Sequence, residues 1–92
     1  IKDGNYLIKN IDKNIVSKLM KDLNLYNDKQ LVLNFISRND FKEMFWEIQK
    51  ISNELKNDKQ VIMEAIKQDG YALEYASDSL KNNKEIVLKA IK

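Results

Sequence analysis

Residues 55–67 read LKNDKQVIMEAIK and residues 80–92 read LKNNKEIVLKAIK. Seven of the thirteen positions are identical, and Asp58/Asn83, Gln60/Glu85, Val61/Ile86, Ile62/Val87 and Met63/Leu88 are close exchanges. A third copy, LYNDKQLVLNFIS at residues 25–37, keeps Leu25, Asn27, Asp28, Lys29, Gln30 and Ile36 in register, so the copies start 30 and then 25 residues apart. This self-similarity constrains the fold more than any other feature. A unit so short cannot bury its apolar face alone and must stack on its neighbours. We therefore expect an all-α chain of short antiparallel helix pairs stacked as an α-solenoid-like fragment. It forms one domain over residues 1–92, divided into a partial repeat 1–24, repeats 25–54 and 55–79, and a partial repeat 80–92.

Local signals in each copy agree with helix. Asn27, Asn57 and Asn82 each stand three residues before Gln30, Gln60 and Glu85, the spacing of a capping box. Three apolar residues, one polar and two apolar then follow, as in Val61, Ile62, Met63, Glu64, Ala65 and Ile66, which makes about 200° of the helix surface apolar. This first helix of the pair should close at Asp69-Gly70, with Gly70 left-handed. The second helix is read over YALEYASDSL, with Ala72, Leu73, Ala76 and Leu80 on one face. Its counterpart over residues 40–53 starts with Asp40 and Glu43 as another capping box and carries Phe41, Met44, Phe45, Ile48 and Leu55 along one stripe. An earlier second helix falls over 12–23, capped by Asp12, closed near Asn24, with Ile15, Val16, Leu19, Met20 and Leu23 in the same pattern. Ile1-Lys2-Asp3-Gly4 echoes Ile66-Lys67-Gln68-Asp69-Gly70 with one residue missing, and the chain reads as beginning and ending in mid-repeat. The absence of Pro and the presence of only two Gly fit an all-α reading.

Composition removes several function classes. With no His and no Cys, the chain has no imidazole base, no thiol nucleophile and no disulfide, and it lacks the usual zinc ligands. Glu43 with Glu47, and Glu74 with Asp78, share helical faces at i, i+4 and read as solubilising pairs rather than acid–base machinery. Asp12-Lys13-Asn14 begins like a calcium loop but lacks the central Gly and the closing Glu. The chain is expected to be non-catalytic, with no cofactor and no metal. Sixteen basic against fourteen acidic residues name no partner by charge. Lys2, Lys9, Lys13, Lys18 and Lys21 crowd the first third, yet Arg38 is the only arginine, which argues against nucleic-acid recognition. No apolar run is long enough for a membrane span.

Residues 65–92, AIKQDGYALEYASDSLKNNKEIVLKAIK, resemble a tandem-repeat family of unknown function with units of about 25 residues reading GxALxYASxxLxxDxEVVLxAV. Gly70, Ala72, Leu73, Tyr75, Ala76, Ser77, Leu80, Glu85, Ile86, Val87, Leu88, Ala90 and Ile91 fall on that pattern. The resemblance weakens over 25–54, where DFKEMFWEIQKIS replaces the Gly, A-L and Y-A-S positions. It implies a helical repeat in a long bacterial, protist or large-virus protein, some members being secreted effectors, and so a soluble protein of the cytoplasm or one delivered into a host cell. It supplies no activity, cofactor or catalytic residue.

The site reading rests on Trp46. On an α-helical wheel it points about 170° from the Phe41/Met44/Phe45/Ile48 stripe, among Lys42, Gln49, Lys50 and Asn53. A 25-residue shift aligns Trp46 with Tyr71 and Lys50 with Tyr75. Trp46, Tyr71 and Tyr75, flanked by Lys42 and Lys50, are the candidate partner-binding stripe, and the plainer alternative is that they pack between repeats. The function expected is protein–protein interaction within a larger protein; the alternative is an accessory domain positioning nucleic acid or a substrate for a catalytic domain elsewhere. Apolar residues on the terminal repeats, above all over 83–92, also predict self-association.

Overall fold

The structure, a computed structural model, describes residues 4–91. In chain order it runs α1 (Gly4–Asn10), α2 (Lys13–Asp22), a 3-10 turn (Leu25–Asn27), α3 (Lys29–Ile36), a 3-10 segment (Phe41–Lys50), α4 (Asn53–Lys56), α5 (Lys59–Gln68), a second 3-10 segment (Gly70–Tyr75), α6 (Asp78–Lys81) and α7 (Lys84–Ala90). The chain is all-α, with no strand among the described residues. The helices of the three sequence copies, α3, α5 and α7, pack each on the next, and α1 packs on α3 in the same way. Val32, Phe35, Ile36, Val61, Ile62, Ala65, Ile66 and Ile86 bury almost completely along this row, within a body measuring 39 × 23 × 19 Å.

The caps sit one residue later than the sequence spacing implies. Asp28, Asp58 and Asn83 accept the amides of Leu31, Val61 and Ile86, so α3, α5 and α7 open at Lys29, Lys59 and Lys84. Asn27, Asn57 and Asn82 are therefore not the caps. The third helical residue is apolar and cannot reach back, so the reciprocal half of a capping box is missing. A carboxylate at two of these caps also meets the positive end of the helix dipole. Asp12 does cap α2 as expected, accepting the Asn14 amide, and Asn24 is left-handed (φ 53°) just beyond that helix.

The expected second helices over 40–53 and 71–80 are not continuous. Each is a 3-10 segment, then two extended residues, then a single α-turn. Ile51 (ψ 159°) with Ser52 (ψ 158°), and Ala76 (ψ 163°) with Ser77 (ψ 160°), are the extended pairs, and the two serines restart the chain by accepting the amides of Leu55 and Leu80. The serine hydroxyl offers the backbone a cap in place of a further helical turn, and that local bond breaks the α pattern. The first segment is also kinked at Met44 (φ −146°, ψ 32°). Asp40 makes no cap bond there, because its carboxylate is taken by Arg38. Only α2 is an ordinary α-helix in this role, and it leaves Ile15 and Leu23 exposed rather than buried with Val16 and Met20.

Gly4 is the first residue of α1, and the rest of the Ile1-Lys2-Asp3 echo, Lys2 included, lies outside the described residues. The register is set by polar contacts. Arg38 Nη1 donates to the carbonyl of Ile8 (2.8 Å), and thirty residues on, Gln68 Nε2 donates to the carbonyl of Ile36 (3.0 Å).

Gly70 is not left-handed, and no glycine in the described residues has positive φ. Its reason is space: a Cβ built on it would overlap the carbonyl oxygen of Ala90 in α7.

Candidate functional site

The 3-10 segments lie side by side and hold most of the aromatic surface. A 3-10 helix repeats every three residues. Phe41, Met44 and Glu47 accordingly face inward and are buried, while Glu43, Trp46 and Gln49 face outward and are exposed. Trp46 keeps 47% of its surface exposed and Tyr71 keeps 70%. Tyr75 is half-buried.

Phe45 joins them. Its ring is edge-on to Trp46 (6.2 Å between centroids, 71°), nearly parallel to Tyr71 (6.4 Å, 18°) and tilted against Tyr75 (6.3 Å). Phe45 was read as a core residue, but it is only half-buried and forms the hub of an aromatic cluster spanning the two segments. The three aromatics expected to lie in line instead converge on it. Phe45 and Tyr75 pack between the segments, while Trp46 and Tyr71 face solvent. A cleft of about 270 Å³ opens among Phe45, Tyr71, Glu74 and Tyr75.

The two lysines divide. Lys42 is exposed. Lys50 is anchored, its ammonium 3.2 Å from Oε1 of Glu47.

Glu47 is the residue sequence reasoning missed. Read as a solubilising carboxylate, it is buried at 7% exposure, accepting the hydroxyls of Tyr26 (3.1 Å) and Ser17 (2.8 Å). An α wheel places it off the apolar stripe; the threefold period places it on. Burial of the Tyr26 ring, with the Glu47 carboxylate beside it, pushes the phenol well above its ordinary range. Arg38, the only arginine of the sequence, is buried as well. Its guanidinium grips Asp40 through Nε (2.9 Å) and Nη2 (3.0 Å), and that grip holds the Asp40 carboxyl below the usual range. Burial alone would raise Asp58, yet the Lys29 ammonium at 3.0 Å and the Val61 amide together keep it low.

Among the described residues no three carboxylates converge as a metal site, and no helix is long and apolar enough to cross a membrane. At the far end of the row, Leu88 and Ile91 stand 48% and 73% exposed beside a cleft of about 730 Å³ that Gly70, Tyr71 and Ala90 help to line.

One protein family, described as a domain of unknown function (DUF4116), matches residues 28–79 and again residues 60–92. The chain belongs to this family. No curated protein and no solved structure matches it.

The family pattern noted in the sequence has a physical reading here. The Gly position, Gly70, lets the chain pass against α7. Ala72 and Ala76 are the small residues buried at each end of the 3-10 segment. The Ser position, Ser77, caps the next turn and gives its backbone amide to the carbonyl of Lys56 at the end of α4 (3.0 Å). The Asp position is held by Asp28, Asp58 and Asn83, the true caps.

Proposed function

We propose that this chain is a non-catalytic interaction module of α-solenoid type, whose partner is a protein that docks on the aromatic cluster of Phe45, Trp46, Tyr71 and Tyr75. The observation that carries the reading is the pairing of half-buried hubs with exposed rings: Phe45 and Tyr75 are fixed by packing, while Trp46 and Tyr71 present large apolar faces to solvent. Rigid aromatic residues held in place before binding lose little conformational entropy on docking, and Trp and Tyr dominate interface energetics. The use of Arg38 inside the fold weighs against the nucleic-acid alternative, since the buried guanidinium already gives three hydrogen bonds to Asp40 and Ile8. Leu88 and Ile91 offer a further apolar surface for self-association.

The test is affinity capture with and without nuclease, comparing the native protein with the Trp46→Ala, Tyr71→Ala double variant. A protein partner that survives nuclease and is lost in the variant is the expected result. Capture that vanishes with nuclease, or ignores the two aromatics, overturns the reading.

A further inference from the structure

The cleft at the centre of the aromatic cluster has a chemistry more specific than an apolar surface. Its walls are Phe45, Tyr71 and Tyr75, and its fourth side is the carboxylate of Glu74. Glu74 is exposed and takes part in no ion pair among the described residues. The Lys50 ammonium close in sequence to the cluster is held by Glu47. An unneutralised carboxylate beside three π faces favours a cation, and a weakly hydrated one, because the rings replace water poorly for a compact ammonium.

Ring geometry narrows the shape. Phe45 and Tyr71 stack 18° from parallel with centroids 6.4 Å apart, and Tyr71 keeps 70% of its surface open to solvent. A planar guanidinium stacks on such a face and keeps its edge N–H groups for a carboxylate, which a compact tetrahedral ammonium does not do. Resting on the interaction reading above, we infer that the cleft receives the guanidinium of an arginine displayed on the partner protein, stacked on the exposed Tyr71 ring and ion-paired to Glu74.

The probes are N-acetyl-arginine amide, its lysine counterpart and its citrulline counterpart, the last having nearly the same planar shape without the charge. Each is titrated into the native protein while the ring resonances of Phe45, Tyr71 and Tyr75 are followed by NMR. The expected result is saturable shifts with the arginine probe, binding at least about tenfold weaker for lysine and citrulline, and loss of the arginine response in both Tyr71→Ala and Glu74→Gln. Neither side chain supports the core, so both variants should fold, and their unchanged core resonances check this. No saturable shift with arginine, or an equal response to lysine or citrulline, overturns the inference. If that happens while capture is still lost on removing Trp46 and Tyr71, the docking face stands and only its arginine specificity falls.

Discussion

The connections leading out of α3 and out of α5 do the same job with different lengths and different chemistry. Residues 41–50 form a kinked ten-residue 3-10 segment, and residues 70–75 an unkinked one of six. Both then make two extended residues, the second a capping serine. At that serine the backbone joint is identical: Ser52 donates its amide to Tyr26 and Ser77 donates to Lys56, each at 3.0 Å. The longer connection fills its extra space with polar groups, Arg38 on Asp40 and Glu47 on Ser17, Tyr26 and Lys50. In the shorter one, Ala72 takes the place of Glu47 at a 25-residue shift, and Gly70 lies directly on α7. Each repeat thus closes on the second residue of its own opening motif, Tyr26 or Lys56, and the connecting segment can vary as long as it returns a serine to that joint.

The largest effect that would break this comparison is at the first bulky residue of each segment, which one connection buries and the other exposes. Phe41 is fully buried, edge-on to Phe35 at 5.5 Å, whereas Tyr71, thirty residues later, is mostly exposed. Phe41→Ala should cost about 3–5 kcal/mol and Tyr71→Ala within ~0.5 kcal/mol in urea unfolding. Similar losses at the two positions would mean that the connections are packed alike.

Next comes the exchange of the two fillings. Glu47→Ala copies the residue of the shorter connection but leaves the Tyr26 hydroxyl, buried on its ring, without its acceptor, so a loss of roughly 1–3 kcal/mol is expected. A neutral outcome would show that the carboxylate network adds nothing to the longer joint. Gly70→Ala should cost about 1–3 kcal/mol through collision with the Ala90 carbonyl, with no contribution from φ. Unfolding followed by circular dichroism would reveal it, and an unchanged midpoint would mean that α7 moves aside freely.

The smallest effect is in acid. Asp40 is held by Arg38 below its ordinary value of 3.8, so its contribution is fully present above that pH and is lost as the pH falls below it through the depressed folded value. Asp40→Asn should flatten the acid limb of the stability curve in that window, leaving the curve's shape above about pH 5 as it was. A native-like acid limb in the variant would assign the loss to other carboxylates, Asp58 first, since it too is held low.

The all-α class was legible in the sequence because the three copies carry helix-forming apolar patterns between polar caps, and because nothing in the chain has strand period. The cap positions were misread by one residue: Asn and Asp are adjacent in Asn27-Asp28 and Asn57-Asp58, and the Gln spacing favoured the wrong one. The family pattern's Asp was the signal that could have decided it. The 3-10 character of the connections left no clear mark. An α wheel and a threefold wheel both turn Trp46 outward, so its exposure was read correctly from an incorrect helix. The same two wheels disagree at Glu47 and Phe45, and there the sequence reading failed. Convergence of Trp46, Tyr71 and Tyr75 on Phe45 depends on how two connections of unequal length lie against each other, which spacing alone does not encode.

The most direct measurement of the central claim is native-state hydrogen exchange at the Ser52 and Ser77 amides. The account predicts that both are protected, and to similar degrees, because both close the same bond back to the start of their repeat despite the different segments before them. If either amide exchanges at the rate of an open loop while the helices around it stay protected, the shared joint does not exist and the two connections are unrelated solutions.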